Sequence, residues 1–364
     1  MQALILAGGQ GTRLRPLTLT RPKPVVPLAG RPFLTLMLDW LARHGVEEAI
    51  LSCGFLADEV RRVLGDRHGD VALRYVLEDE PLGTAGPVRL ALDEGRIVER
   101  VLVLNGDVLT DFDLSAQVDA HARTGAAATL ALVAVEDTTS YGLVPTGPGG
   151  EVEAFLEKGE AAGAEERYRA TYRVNAGAYV LERSMVERVP PGRAVSFERE
   201  VFPALVGEGL FGHSVEGYWV DIGTPERLLE ATHDLLAGAV ASDLPPRDEQ
   251  GSLVAEGCRV DGARIGPLSV LGEGCSVEPG AAVVRSALFA GAAVGAEARV
   301  EEAILAEGVA VGPGASVERG AVLGARARVD AGAIVPAGAR VDPGASVSAE
   351  RAPTATAAGE GGGG

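Results

Sequence analysis

Lysine and asparagine are almost missing from this sequence. Against 31 arginines stand two lysines, Lys23 and Lys158, and only two asparagines, Asn105 and Asn175. The bias toward Arg, Ala, Gly and Val reflects codon composition. Residues that persist against it mark places where the substitute fails chemically. A lysine is a compact point charge that the planar fork of arginine does not replace.

Other scarcities exclude whole classes of protein. Cys53, Cys258 and Cys275 are scattered and form no C-x-x-C pair, so neither a disulfide framework nor a thiolate zinc site is expected. They read as reduced core thiols of a cytoplasmic protein. The longest apolar runs are strand-sized, and the sequence opens on a strand without a signal peptide, so no membrane span is expected. Basic charge is in deficit: the formal net charge is −18, which argues against nucleic acid and anionic membrane as partners. Hydrophobic residues make up 46% of the 364, enough for ample cores and for more than one domain.

The stretch Gly8-Gly9-Gln10-Gly11-Thr12-Arg13-Leu14-Arg15-Pro16 runs against that acidic background. An apolar run, Ala3 to Ala7, feeds it as a buried strand. Three glycines let backbone N–H groups converge on an anion. Arg13, Arg15, Arg21, Lys23 and Arg31 follow, and no acid precedes Asp39. The segment reads as a trap for polyphosphate. It is not a P-loop, which needs Gly-Lys-Ser/Thr, nor a dinucleotide loop, which needs a third glycine and an acid ending the second strand. Taken alone it could also be a glycine turn with solvated arginines.

Strand and helix patterns alternate beyond it. Helices are expected over Phe33–His44, Ala85–Glu94 and Ser115–Arg123. Strands are expected at Ala49–Leu51, Val71–Leu77, Val101–Leu104 and Ala128–Val135. Such alternation predicts an α/β domain, a mainly parallel sheet with helices on both faces, and ligands bind such sheets beyond the carboxyl ends of the strands. Thr224-Pro225 should cap and open a further helix. From Asp243 to Gln250 the texture becomes that of a linker. Then Leu271, Val277, Val283 and Phe289 recur every six residues. After a phase break Leu305, Val311, Val317, Leu323, Val329, Val335, Val341 and Val347 do so again. This is the period of a hexapeptide β-helix, about 18 residues per coil. The expected domains are 1–240, a linker at 241–252, the β-helix at 253–350 and a disordered Gly/Ala tail at 351–364.

In order, the motifs G-G-x-G-T-R-L-x-P-L-T, P-K-P, L-G-T-A-G, N-G-D, E-K, N-A-G and W-x-D-I-G-T-P together resemble those of the sugar nucleotidyltransferases, the nucleotide-sugar pyrophosphorylases. The resemblance covers residues 1–350 and implies a Rossmann-like catalytic domain followed by a left-handed β-helix. Segments 78–87 and 196–203 look most like those of the guanylyltransferases that act on mannose 1-phosphate. Thymidylyl-, uridylyl- and adenylyltransferases acting on glucose 1-phosphate share most of the rest.

The resemblance implies transfer of a nucleoside monophosphate from a nucleoside triphosphate, GTP by this reading, to a sugar 1-phosphate with release of pyrophosphate. It implies that Asp107 and Asp221 hold Mg²⁺, and that Arg13, Lys23 and Lys158 are catalytic. Leu6, Ala7, Gly8, Gly9, Gly11, Thr12, Glu78, Gly83 and Thr84 should line the nucleotide with Arg13 and Lys23. Gly142, Glu157, Lys158 and Asn175 should bind the sugar phosphate. Each aspartate could instead be a cap or an ion pair, each lysine a solvated charge, and Glu78 one of three acids on a wet loop. Two other classes compete: a silent regulatory subunit, and a hexapeptide acyltransferase, which would need a histidine on a coil. The five histidines, at 44, 68, 121, 213 and 233, all precede the repeat. The β-helix is expected to serve homo-oligomerisation or regulation. The sugar, the oligomer size and any effector are not legible.

Overall fold

The computed structural model describes residues 1–135, 141–156 and 173–349. It divides into two compact units, Met1–Gly9 with Met37–Val220 and Gln10–Leu36 with Asp221–Gly364. Numbered along the chain, the first strands are β1 (Gln2–Leu6), β2 (Pro27–Leu28), β3 (Arg31–Pro32), β4 (Glu48–Cys53), β5 (Arg67–His68) and β6 (Val71–Leu77). They are followed by β7 (Arg100–Asn105), β8 (Val108–Thr110), β9 (Ala128–Ala134), β10 (Arg173–Glu182), β11 (Leu210–Ser214) and β12 (Trp219–Asp221).

The first unit is built on an eight-stranded sheet in the order β11-β9-β10-β7-β1-β4-β6-β5. Its centre is parallel: β1 lies between β7 and β4, and β4 pairs with β6 in the same sense. Ala3, Leu4, Ile5, Ile50 and Leu51 have no exposure at all. That is why these strands read as unbroken apolar runs: helices cover both faces of a parallel sheet. Those helices are α1 (Phe33–Arg43), α2 (Ala57–Leu64), α3 (Gly86–Asp93) and α4 (Leu114–Thr124). Asp113 caps α4 by accepting from the Ala116 N–H at 3.0 Å, and Gly125 closes it in the left-handed conformation. The sheet is less uniform than the alternation suggests, because β10 runs antiparallel to both β7 and β9. Because β7, β1, β4 and β6 are parallel neighbours, their carboxyl ends share one rim. That rim carries Asp107, Gly8, Ser52 and Glu78.

In the second unit, sixteen short strands from Leu253 to Val347 stack into three parallel sheets of six, five and five strands, which fit a left-handed β-helix. The stacking explains the phase break. Leu271 lies beside Leu288, and Leu288 beside Leu305, seventeen residues apart each time. Leu305 then lies beside Leu323, and Leu323 beside Val341, eighteen apart. Leu288, not Phe289, therefore takes the stacked position. Ser252, Ser269 and Ser286 follow the same seventeen-residue spacing and are buried. Ser252 Oγ accepts from the Ser269 N–H and Ser286 Oγ from the Ala303 N–H, both at 3.1 Å. Side-chain oxygens thus complete the backbone where the coils are short. Cys53 and Cys275 are buried free thiols, pushed up to about 12 and about 11 by burial.

This unit also contains the segment 10–36 and the helix Pro225–Ala237, with Thr224 accepting from the Arg227 N–H at its start. Among the described residues no helix is long and apolar enough to cross a membrane.

Candidate active site

Within the first unit, the rim is crowded in a way that dictates residue type. Leaving β1, Ala7 donates its N–H to the Ser52 carbonyl at 2.9 Å. A Cβ on Gly8 would stand 2.7 Å from Glu78 Oε1, so Gly8 makes room for that carboxylate. Glu78 is fixed from two other sides: the Ser52 hydroxyl donates to Oε1 at 2.8 Å and the Leu82 N–H to Oε2 at 3.1 Å. Asp79 and Glu80 are exposed, whereas Glu78 is half-buried. Of the three acids, Glu78 is the one with a defined orientation. Gly9 has no comparable constraint, since nothing lies within 4 Å of the Cβ it lacks.

The N-G-D turn follows β7. A Cβ on Gly106 would lie 2.5 Å from the Leu6 carbonyl oxygen, and the Gly106 N–H donates to that oxygen at 3.0 Å. Only glycine allows this approach, which pins half-buried Asp107 beside the end of β1. Asn175 lies on β10, at a bulge. Its Oδ1 accepts from the Gly177 N–H at 2.9 Å, and its Nδ2 donates to the Tyr179 hydroxyl at 2.9 Å. Gly177 is left-handed, and a Cβ there would strike Asn105 Nδ2 at 2.7 Å, so both asparagines border Gly177. Burial above all, and then the charge of Glu198, holds the Tyr179 hydroxyl well above its usual range; the charge of Asp107 adds to this.

Glu198 joins these groups and was not anticipated. Its Oε2 accepts from Thr84 Oγ1 at 2.8 Å and from Ser196 Oγ at 2.7 Å, and the Tyr179 hydroxyl reaches Oε1 at 3.4 Å. Thr84 in turn accepts from the Phe197 N–H at 2.8 Å. A Cβ on left-handed Gly83 would lie 2.5 Å from the Val195 carbonyl oxygen. Gly83 and Thr84 are thus seated against the segment 195–198. The available signal was the S-F-E-R-E run itself, in which a glutamate follows a capping serine and a buried phenylalanine. Gly142 adjoins Tyr141, whose ring packs edge-on to Trp219 at 5.4 Å, and Trp219 donates to the Ala176 carbonyl. Glu157 and Lys158 lie outside the described residues.

Within the second unit, Gly11 is left-handed, with φ +60°. A Cβ there would meet Thr18 Cγ2 at 3.0 Å and the Lys23 Cβ at 3.1 Å. The Thr18 hydroxyl closes the loop on the Gly11 carbonyl at 2.7 Å. The glycine loop and the P-K-P turn are therefore one packed object. Arg13 is two-thirds exposed, and its Nη2 stands 4.0 Å from Asp221 Oδ2. A Cβ on Gly223 would lie 2.8 Å from the same nitrogen. The glycine of D-I-G-T-P thus makes room for Arg13, a partnership between two distant motifs that their spacing did not reveal.

Among the described residues no three His, Cys, Asp or Glu side chains gather as a metal cage. Asp107 in the first unit and Asp221 in the second carry carboxylates, the donor type that suits Mg²⁺, which takes one or two carboxylates and completes its shell from phosphate and water.

A family model described as nucleotidyl transferase matches residues 2–238, and one described as the GMPPB C-terminal domain matches residues 250–355. The mannose-1-phosphate guanylyltransferase of Mycobacterium tuberculosis is 40% identical over 275 residues, 74% of this chain and 73% of that protein. The mannose-1-phosphate guanyltransferase of Schizosaccharomyces pombe is 37% identical over 238 residues, 64% of this chain and 63% of its own length. The crystal structure of HddC from Yersinia pseudotuberculosis superposes with a TM-score of 0.53 at 28% identity, covering 63% of this chain and 97% of that one. The same protein in complex with GMP-PN gives 0.51 at 27% identity.

Proposed function

This chain belongs to the nucleotidyl transferase family, and from that premise we propose that it transfers the guanosine monophosphate moiety of GTP to mannose 1-phosphate, releasing pyrophosphate. The observation that carries the choice of base is the carboxylate of Glu78, held at the strand rim by Ser52 and Leu82 and facing Gly8. Guanine presents its N1–H and 2-amino group side by side, two donors that one carboxylate accepts together. Uracil, thymine and adenine each present an acceptor there. A charge-assisted pair is favoured, and a mismatched buried edge costs about 1–3 kcal/mol.

The reaction needs no general base. The second pKa of a phosphate monoester is about 6, so the attacking oxygen of the sugar phosphate is already anionic near neutrality. The difficulty is bringing two polyanions together. In this reading Arg13 and the backbone N–H groups of Gly9, Gly11 and Thr12 bind the β- and γ-phosphates. Lys23 lies at the α-phosphate and Lys158 at the sugar phosphate. Leu6, Ala7, Gly83 and Thr84 shape the nucleotide site, while Gly142, Glu157 and Asn175 bind the sugar hydroxyls. Asp107 and Asp221 would hold Mg²⁺, which when bound neutralises phosphate charge and fixes the α-phosphoryl group. We also propose a cytoplasmic homo-oligomer associating through the β-helix, since repeat coils bury faces against neighbours.

The test is pyrophosphate release with GTP, ATP, CTP, UTP and dTTP against mannose, glucose and galactose 1-phosphates. We expect GTP to exceed UTP and dTTP at least about tenfold, equivalent to 1.4 kcal/mol. A preference for dTTP would overturn the base assignment, and no turnover with any pair would point to a silent subunit. Light scattering on the full chain reads the assembly.

A further inference from the structure

The segment that carries Arg13 and Lys23 is fastened to the β-helix. Arg21, two residues before Lys23, points its guanidinium at Glu307, which follows the strand Ile304–Leu305 of a central coil. Their separation is 2.5 Å, and each side chain is only about a quarter exposed. The other end of the same guanidinium donates to the Val25 carbonyl at 3.4 Å. Arg21 therefore clasps the turn formed by Lys23, Pro24 and Val25, and Lys23 rests on Gly11 of the glycine loop. The Glu307 carbonyl accepts from the Arg326 N–H at 2.8 Å, which ties this corner to the next coil.

Two further attachments act on the same unit. The β2–β3 hairpin sits on the first coils, where Gly30 faces Val270 and Leu253, and Arg31 donates to the Asp243 carbonyl at 3.2 Å. The helix Pro225–Ala237, which follows Asp221, is held at both ends. Glu226 pairs with Arg340, and His233 Nε2 lies 2.9 Å from the Arg285 carbonyl. Arg285 and Glu302 occupy left-handed coil corners of the kind glycine fills elsewhere, and they pair with each other at 3.3 Å. Side chains thus stand at corners that face the attached helix.

We propose that Glu307 is a positioning residue for triphosphate binding, acting through Arg21 to set the Lys23 turn against the glycine loop. The β-helix is then part of the nucleotide site's support as well as a surface for assembly. This rests on the reading that segment 10–36 binds the triphosphate. The two partners are largely withdrawn from water, so removing one leaves the other charge poorly compensated and free to pull the turn out of register.

The experiment uses the full chain and the variants Glu307→Gln, Arg21→Gln and the exchange Arg21→Glu with Glu307→Arg. Initial rates give kcat and KM for GTP and for mannose 1-phosphate separately. Calorimetric titration with GTP and Mg²⁺, without sugar phosphate, gives binding independent of turnover. Each single variant should weaken GTP binding and raise its KM by about tenfold. KM for mannose 1-phosphate should stay within about twofold. The exchange rebuilds the ion pair but not the donor to the Val25 carbonyl, so it should recover part of the loss and bind GTP at least about threefold more tightly than either single variant. Unchanged GTP binding in the single variants would overturn the proposal. So would an equal rise in both KM values, or an exchange that rescues nothing, which would put Arg21 on the nucleotide itself. A wild-type chain that binds GTP but does not turn over would sink the functional reading and leave this test intact.

Discussion

The sheet unit and the β-helix bury their apolar surface by opposite means. The core of the sheet unit gathers Leu4, Ile50, Val103, Leu130, Tyr179, Phe197 and Phe202, each in its own setting, with three aromatic rings packed at 4.9–5.6 Å. The β-helix repeats one solution: Val, Leu and Ala stacked coil upon coil, with strands of two or three residues. A unique core can place a carboxylate or an amide at a chosen point of a strand rim. A repeated core cannot single out a position from within, so its distinctive side chains, Arg285, Glu302, Glu307 and Arg340, stand outside the stack. Distinctive side chains therefore gather at the strand rim of the first region and at the coil corners of the second.

That contrast is open to experiment. The largest effect should come from Asp107→Ala, which is expected to lower kcat/KM roughly 10³-fold, about 4 kcal/mol, while the melting curve stays put. Retention of a third of the activity in saturating Mg²⁺ would remove Asp107 from the site. Truncating one buried leucine in each core sharpens the contrast. Leu130→Ala and Leu323→Ala should each cost about 2–5 kcal/mol in the unfolding of their own unit only. A single transition shifting in both variants would show that the two regions unfold together.

Glu78→Gln should narrow the preference for GTP over dTTP or UTP by at least about tenfold, 1.4 kcal/mol, whereas Glu80→Gln should leave it unchanged. The reverse result would move the base reader to the exposed loop. The smallest effect concerns pH. His121 is buried against Thr129 and Glu182, and burial holds it below the usual histidine value of 6.5. The unfolded chain then binds the extra proton, so the contribution of neutral His121 is present above pH 6.5 and fades as pH falls below it. The β-helix holds no histidine from Leu253 onward. The transition of the sheet unit should therefore fall more on acidification to pH 5.5 in wild type than in His121→Gln.

The repeat was the most legible part of the fold, because a period of six allows one architecture and each stacked valine reports the same geometry. The seventeen-residue coils were missed because Phe289, itself buried, kept the count of six while Leu288 took the stacked place, and a one-residue shift is invisible to composition. Strands β1 and β7 announced themselves as apolar runs, and β6 as a β-rich stretch interrupted by exposed Arg74. Helix α2 did not, since only Val60 and Leu64 anchor it. At the candidate site, the glycine loop, N-G-D and W-x-D-I-G-T-P could be read as motifs, and so could the sparse lysines. Ser52 gave almost no signal inside its apolar strand.

The alternation of strand and helix, the period of the stacked coils and the turns that only glycine can make could be read from the sequence. These are properties of local backbone freedom and of side-chain type, both written along the chain. Tertiary structure alone decided the partnerships. Glu78 is oriented by Ser52 and Leu82, Arg13 stands beside Asp221 over Gly223, Glu198 gathers Thr84 and Tyr179, and Arg21 reaches Glu307. Such pairs join residues up to 286 positions apart, from Arg21 to Glu307. No spacing along a chain encodes them, because they exist only once parallel strands bring their ends to one rim and coils stack a corner beneath a loop.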